Sequence, residues 1–423
     1  MLLSRFFIGF LISLFHGWAA AQSFNLGQLI QFATESYPSV LSQLSNVKAA
    51  EIGIETAEYQ RYPVPQISYE NVQKSSSDPS YIGSDGVTTF RISQPIFTGG
   101  LFSAQLEKAK ANLQVSQAGV RETRRQIALR VVQAYADWNS ADLKVKSIEK
   151  SLVIHQKLLQ QAKNRIAQGA SPSSDLTLVQ SRIDATMGEL FSAKLQSELA
   201  IQKLNELTGV TVNASQLQAG KTGPVQHKQP IESLLANAQR LSPELQRAKA
   251  QALIAKSSAQ EKESALKPDI YVRAERQYGN YFSNNTNPNT RIFIGVSSKF
   301  GPGLSSFTQI SAAKAQEDSS EFEIQSQQRL VRETVLNDVS VLRSLQEKMQ
   351  VLEGALQASQ SVLESFERQF NAGRKSWLDL MTIAKDVAQN ETQLAELRGS
   401  QLQTSWRLQI LTSDNYAQVN PAP

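Results

Sequence analysis

The sequence predicts a membrane β-barrel combined with a long α-helical coiled-coil barrel, in an oligomer that pools four strands from each chain. Three observations lead to this fold class. The chain contains an internal repeat with an offset of 203–205 residues. Each copy contains a long proline-free stretch with apolar residues at heptad spacing. Each copy also contains two segments in which apolar and polar residues alternate.

The internal repeat extends over most of the chain. Matching landmarks recur from the start to the end of the two copies: Ser36–Leu41 and Leu241–Leu245, Phe97–Leu101 and Phe300–Leu304, Asp175-Leu176 and Asp379-Leu380, Leu207-Thr208 and Leu411-Thr412. Landmarks spread this widely indicate a duplicated unit rather than a chance motif. We therefore expect a first repeat at 22–208, a linker at 209–230, a second repeat at 231–413 and a tail at 414–423.

Helices account for most of each predicted repeat. A first helix is expected at 26–61 and 231–266, ended by prolines. Hairpin helices follow at 101–208 and 304–412, each made of a long helix, a short turn and a return helix. The seam of the first long helix is apolar at every heptad position from 127 to 166 except His155, which is interpreted as a packed or register-setting residue. A rod of 68 residues would be about 100 Å long, roughly three times the hydrocarbon thickness of a bilayer.

Four strands are predicted at about 64–74, 86–96, 269–279 and 290–300. Each has about the 9–11 residues that a tilted strand needs to cross a membrane, although a small soluble sheet packed on helices would show the same alternation. The barrel is favoured because the apolar seams of the helices pack against each other, which leaves no obvious helical face to cover a sheet, and because the loops between the strands are polar. Four strands cannot close a barrel, and an open edge is excluded from lipid, so copies must pool their strands. Two chains would give 8 strands and three would give 12, and the sequence alone does not choose.

The first 21 residues predict a secretory signal peptide. Arg5 precedes an apolar stretch at 6–15, and small residues at Ala19–Ala21 form a cleavage pattern. A membrane anchor is the weaker alternative, because the apolar run is too short to span a bilayer. The exported chain would begin at 22, and the loss of Arg5 lowers the formal net charge from +5 to +4.

Composition excludes most catalytic chemistry. The chain has no cysteine and only three histidines, His16, His155 and His227. The chain therefore has too few cysteines and histidines to form a thiolate or histidine metal cluster or a Ser/His/Asp triad. The mild net charge and the absence of long basic runs argue against nucleic-acid binding. We expect no enzymatic activity, no cofactor and no metal site.

The order of elements, together with a six-residue Gly-to-Asp spacing in both turns (Gly169 to Asp175, Gly373 to Asp379), resembles the TolC family of outer-membrane channel proteins. The resemblance covers essentially the whole mature chain. It implies a homotrimer whose twelve strands form one barrel in outer-membrane lipid, with helices that form a tunnel through the periplasm. It also implies two partners at the helical tip, a periplasmic adaptor (membrane fusion) protein and an inner-membrane transporter of the ABC type.

The resemblance also bears on cargo. The run from Gly373 to Leu380 is similar to the branch that serves type I secretion of large surface adhesins, which makes a passive conduit for protein export the leading hypothesis. Drug or metal efflux is the alternative within this class, and the missing N-terminal cysteine weighs slightly against its lipid-anchored branch. An exported structural coiled-coil protein is the alternative from another class.

The family's periplasmic gate can be carried over to six positions. The resemblance implies that Ser174 and Asp175 face Phe370 and Lys375, so that a Lys–Asp pair latches the entrance. Asp379 would keep an acidic ring, whereas Thr382 replaces a second acid and Phe370 replaces a tyrosine. Adaptor contacts are expected at the turns themselves: Gly169, Ser171, Gly373, Arg374 and Ser376.

Helix capping is an alternative interpretation of the same residues. Ser376-x-x-Asp379 is a capping pattern, and Ser171-Pro172 would place a cap before an N1 proline. Gly169 and Gly373 suit helix C-termini. Capping is therefore favoured as the main role of Asp379, and it is compatible with a gate.

Overall fold

The computed structural model describes residues 23–73, 80–169, 172–217, 229–284, 287–298 and 303–413. The predicted signal peptide at 1–21, the tail at 414–423, half of the linker (218–228) and Ser171 lie outside these ranges. The order helix, helix, strand, strand, long helix, return helix occurs twice along the chain.

The helices and strands have the following bounds. The helices are α1 Leu26–Ser36, α2 Pro38–Tyr59, α3 Leu101–Ala167, α4 Ser174–Thr208, α5 Ile231–Leu241, α6 Pro243–Ser264, α7 Ser305–Asn371 and α8 Trp377–Thr412. The strands are β1 Val64–Asn71, β2 Gly86–Phe97, β3 Asp269–Tyr278 and β4 Asn289–Ser297. A 3₁₀ turn lies at Ala214–Gln216.

The first helix of each repeat is broken in two, so the expectation of continuous helices at 26–61 and 231–266 is wrong. Tyr37 and Ser242 both have extended backbones, and each is followed by a proline that begins the next helix. Proline disfavours the helical conformation of the residue before it, which explains both breaks. The Ser242 hydroxyl then accepts a hydrogen bond from the Leu245 N–H at 3.1 Å and caps α6.

The described residues form two compact units. One unit holds the described residues of Met1–Pro38, Arg124–Leu241 and Glu333–Pro423, and the other holds Ser39–Thr123 and Ser242–Arg332. In the first unit, the predicted α3 seam is buried at these positions: Ile127, Val131, Ala134, Trp138, Ala141, Ile148, His155 and Ala162. None of the helices in the described ranges combines the length and the apolar composition needed to cross a bilayer.

The second unit contains a four-stranded antiparallel sheet in the order β1-β2-β3-β4. Its register places Ile67 opposite Phe90 and Ile294 opposite Val272. One face carries large apolar side chains that are open to the surroundings, with Ile67 70% and Ile294 81% exposed. The opposite face carries mainly polar side chains, as the predicted alternation requires.

Candidate functional site

The candidate site comprises the two turns at the ends of the hairpins, between α3 and α4 and between α7 and α8. Gly169 and Gly373 both adopt a left-handed backbone with φ of 71°, which ends α3 and α7. In the second turn the Gly373 N–H donates to the Phe370 carbonyl at 3.0 Å and the Arg374 N–H donates to the Gln369 carbonyl at 2.9 Å. This pair of bonds is the Schellman arrangement, so the predicted C-terminal role of both glycines is confirmed.

Ser376 and Asp379 form a reciprocal capping box at the start of α8. The Asp379 N–H donates to the Ser376 hydroxyl at 3.2 Å, and the Ser376 N–H donates to the Asp379 carboxylate at 3.3 Å. The Ser376 hydroxyl also donates to that carboxylate at 2.8 Å. These bonds from Ser376, with a smaller contribution from Lys375, hold the pKa of Asp379 below its usual value. The predicted capping role of Asp379 is confirmed.

The first turn is built differently. The residue before α4 is Ser173, which has a helical backbone and makes no side-chain cap. The Asp175 N–H instead donates to the Pro172 carbonyl at 3.2 Å. The expected Ser171-Pro172 cap involves Ser171, which lies outside the described residues, so it stays a prediction. Among the described residues, the two turns share their glycine geometry, and Ser173 lacks the side-chain cap that Ser376 provides in the second turn.

Phe370 is the buried centre of the site, with only 3% of its surface exposed. Its ring lies 5.6 Å from the Trp377 ring, centre to centre, and the Arg165 guanidinium carbon lies 4.6 Å from the Phe370 ring centre. Arg165 also donates to the Phe370 carbonyl at 3.1 Å. Arg165, at the end of α3, thus contacts both the ring and the backbone carbonyl of Phe370 at the end of α7. The sequence did not predict the roles of Arg165 and Trp377, because both contact Phe370 only through the fold and Arg165 lies 205 residues away from it.

An apolar cluster surrounds Phe370 and joins the two hairpins. Its buried members come from α3, α4, α7 and α8: Leu158, Ala162, Val179, Ile183, Leu363, Phe370, Trp377, Leu380, Met381, Ala384 and Val387. Lys157 Nζ adds an ion pair to Glu367 at 3.0 Å on the rim. The tips are therefore held together mainly by packing, with polar contacts at the edge.

Lys375 lies against its own turn. Its Nζ is 3.8 Å from the Asp379 carboxylate and 4.3 Å from the centre of the Phe366 ring. Asp175 is half-buried in the first turn of α4 and forms no ion pair with another described residue. The Lys375–Asp175 latch therefore stays a prediction. The Phe370 ring contacts Arg165 and Trp377, and the expectation that it faces Ser174 also stays a prediction.

The remaining predicted residues lie on the surface of the turns. Those that the structure describes are exposed: Gly169, Ser174, Gly373, Arg374, Ser376 and Thr382. The Thr382 hydroxyl donates to the Leu378 carbonyl at 2.9 Å. The described chain therefore presents mainly small and polar groups at the tip, with two exposed leucines, Leu178 and Leu378.

Two buried polar groups lie behind the tip, within the same unit. Asp338 of α7 is completely buried, and it accepts bonds from Arg407 of α8 through both carboxylate oxygens, with the Arg407 Nε at 2.8 Å. His155 Nδ1 lies 3.2 Å from the Thr186 hydroxyl, which itself donates to the Arg182 carbonyl. Burial and then the Arg182 charge lower the pKa of His155. Within the described ranges, no cluster of three histidines and carboxylates could hold a metal ion.

The tips, the sheet and the repeated order of elements can now be compared with known proteins. Residues 29–210 match the family model described as outer membrane efflux protein. The outer membrane protein VceC of Vibrio cholerae superposes with a TM-score of 0.78, covering 92% of this chain and 96% of VceC at 17% sequence identity. The chain has the fold of the TolC-family channels. The predicted resemblance is thereby confirmed.

Two further solved structures share the TolC fold. The outer-membrane channel OprN gives a TM-score of 0.80 at 15% identity, covering 93% of this chain and 90% of OprN. CusC, solved in a study of transmembrane channel formation, gives 0.77 at 15% identity and covers 95% of each chain. Among curated proteins, the nickel-cobalt-cadmium resistance protein NccC of Alcaligenes xylosoxydans xylosoxydans is 24% identical over 193 residues. That match spans 45% of this chain and 43% of the length of NccC.

Proposed function

We propose that this protein is the outer-membrane conduit of a tripartite export system and works as a homotrimer. A four-stranded sheet with one exposed apolar face, in a chain with the TolC fold, is the observation that carries the proposal. The conduit is passive and performs no reaction. Residues 22–208 and 231–413 act as its two repeats, and 1–21 are removed on export.

The sheet supports an oligomer whose copies pool their strands, and the TolC resemblance favours three copies. Among the described strands, β1 and β4 each pair on one side only, so both outer edges carry unpaired backbone groups. Such edges are too costly in lipid, where only closed barrels are stable. Pairing β4 of one copy with β1 of the next closes twelve strands in three copies. The exposed apolar face, which includes Ile67, Ile92, Ile292 and Ile294, then faces outer-membrane lipid.

The helical tips are the docking end in this proposal. A periplasmic adaptor contacts the exposed turns at Gly169, Ser171, Gly373, Arg374 and Ser376, and an inner-membrane transporter supplies the energy. Small and polar exposed side chains support this assignment, because they leave the tip solvated until a partner covers it.

Efflux of small solutes is the cargo class that the comparisons favour. The matching family is described as an efflux family, and NccC is described as a nickel-cobalt-cadmium resistance protein. Type I protein secretion, which the sequence favoured, is the second candidate, supported by the run from Gly373 to Leu380. Deleting the gene separates the two, because loss of a surface protein supports secretion and accumulation of a toxic solute supports efflux.

The proposed gate centres on an ion pair between Lys375 and Asp175, which we call the latch. In the trimer, Lys375 reaches Asp175 across the tip and keeps the entrance closed, with Ser174 and Phe370 beside it and Asp379 and Thr382 forming the inner ring. An ion pair between two partly exposed side chains of this kind opens at small cost, about 1 kcal/mol.

Conductance in planar bilayers tests the conduit. Folded, detergent-extracted protein is expected to give discrete channels, and Asp175→Ala or Lys375→Ala is expected to raise the leak. Asp184→Ala, an exposed aspartate further along α4, is the matched control and should leave the leak unchanged. Folded protein without any channel activity would refute the conduit, and wild-type leak in both tip variants would refute the latch alone. Asp379→Ala is expected to weaken block by divalent cations, whereas an unaltered block would leave Asp379 only its capping role.

A further inference from the structure

The polar face of the sheet carries a group of charged residues that neither the gate nor the barrel closure uses. Arg91 of β2, Arg273 and Glu275 of β3 and Arg291 of β4 all point to this face, because they lie at alternate positions of paired strands. Arg91 and Arg291 are the direct register partners of Glu275 on either side. We call these four residues the arginine belt.

Contacts within the arginine belt leave positive charge uncompensated. Arg91 reaches Glu275 with Nε and Nη2, both at 3.3 Å, and Arg273 Nε lies 3.7 Å from the same carboxylate oxygen. The Arg273 guanidinium carbon also lies 4.6 Å from the centre of the Phe293 ring. Arg291 is exposed and has no ion pair with another described residue. The Glu275 side chain, 11% exposed, thus contacts two of the three arginines, and the four residues together carry a net charge of +2 per chain.

The other acids that the structure describes on the polar face of the strands lie too far away to neutralise the belt. Asp269 is four residues from Arg273 on β3, and Glu70 pairs with Val87, which is four residues from Arg91 on β2. Four residues of strand span about 13 Å. This exceeds the Debye length of about 8–10 Å at moderate salt, so the middle of the face keeps its positive potential.

We propose that the arginine belt makes the membrane part of the conduit favour anions, so that acidic or anionically complexed solutes pass more readily than free cations. The inference rests on the proposed function, in which the apolar face meets lipid and the polar face lines the interior. Three copies then place nine arginines and three Glu275 carboxylates around the middle of the barrel. Rings of arginine are the means by which pores favour anions, since a confined positive potential concentrates them. Glu275 is a positioning residue that holds Arg91 and Arg273 against the wall.

Ion selectivity measured in planar bilayers tests the belt. The readout is the chloride-to-potassium permeability ratio, taken from the reversal potential across a KCl gradient of about 0.1 M to 1 M, where the Debye length falls from about 10 to 3 Å. The variant Arg91→Gln/Arg273→Gln/Arg291→Gln is expected to lower the ratio at least about twofold. Arg291→Gln should lower it less and keeps both Glu275 contacts intact, so it folds as the wild type does. Glu275→Gln should raise the ratio.

Arg276→Gln is the matched control. Arg276 is the next residue of β3 after Glu275 but lies on the apolar face, with its guanidinium carbon 5.3 Å from the Tyr278 ring centre. Arg276→Gln removes one positive charge from the strand that carries Arg273, and the chloride-to-potassium permeability ratio should stay at the wild-type value. Wild-type permeability ratios in both Arg291→Gln and the triple variant would refute the role of the arginine belt in selectivity without refuting the proposed conduit. An equal change in Arg276→Gln would overturn it too, and a folded wild-type protein without channels would refute both proposals.

Discussion

The buried pair between Asp338 and Arg407 provides the sharpest test of how the second hairpin is held together. Asp338 has 0% of its surface exposed, so its carboxylate depends on Arg407 for compensation. Arg407→Met keeps an apolar stem of similar length but removes both donated bonds. Breaking a buried pair from one side costs about 3–5 kcal/mol, because the remaining charge stays buried. We take about 3 kcal/mol, since 34% of the Arg407 side chain is exposed and water can partly replace it.

The assay is the apparent Tm in detergent, followed by the helical circular dichroism signal at one scan rate. An unfolding entropy of about 2.1 cal/mol/K per residue gives about 0.9 kcal/mol/K for 423 residues. A loss of about 3 kcal/mol should therefore lower the Tm by about 3 °C. Arg343→Met is the matched control, since it breaks an exposed pair with Glu347 at 3.2 Å, and it should lower the Tm by less than about 1 °C.

A second variant isolates the cause of the loss. Asp338→Leu/Arg407→Met replaces the ion pair by apolar side chains, and such replacements are often neutral or stabilising. Its Tm should return to the wild-type value or above. The reasoning fails if Arg407→Met behaves like the exposed control. It also fails if the double variant is as unstable as Arg407→Met, because the loss would then come from packing rather than from the orphaned carboxylate.

Three further predictions concern the tip and the seam. Gly373→Ala should destabilise the folded protein by about 1–2 kcal/mol, because alanine is strained at a φ of 71°. Gly354→Ala lies inside α7 with open space around its position and should stabilise the protein by up to about 1 kcal/mol. Thermal unfolding of both variants checks the two predictions. Ser376→Ala should remove the α8 cap at about 1 kcal/mol. Folding lowers the pKa of Asp379, so the carboxylate stabilises the folded state above about pH 4, and this stabilisation is lost as the pH falls through the pKa in the folded state. A Tm series from about pH 3 to 6 should show this loss in the wild type and a smaller loss in Ser376→Ala. His155 binds fewer protons when folded, so wild-type Tm should fall below about pH 6.5, and His155→Gln should flatten that profile; identical profiles would refute the assignment.

Most of the architecture could be predicted because its signals are periodic and long. The heptad seam of α3 and the alternating faces of the strands persist over many residues, so a few exceptions do not hide them. The breaks at Pro38 and Pro243 were missed for the opposite reason, since each depends on one residue in an otherwise helical stretch. Each proline lies twelve residues after the start of the expected helix, where it removes a backbone hydrogen bond and disfavours the helical conformation of the residue before it, so both breaks could have been predicted.

The candidate site was predictable only where its contacts are local in sequence. Ser376 and Asp379 are three residues apart, and the capping pattern identifies both partners at once. Arg165 and Phe370 are separated by 205 residues, so no local pattern could join them. Asp338 is intermediate: a carboxylate on an apolar seam signals a buried cation, but the sequence offers many lysines and arginines and does not select Arg407.

The two turns differ in a way that bears on how the entrance could open. Lys375 already interacts with Asp379 and the Phe366 ring of its own hairpin, and Asp379 is also engaged by Ser376. A latch to Asp175 must therefore compete with existing contacts that are also weak, because ion pairs open to solvent contribute little. Equilibria so finely balanced respond to a partner that binds one arrangement only slightly better. Arg165, by contrast, holds the buried Phe370 by ring and carbonyl together, so opening should move Lys375 first and leave the Phe370 cluster packed.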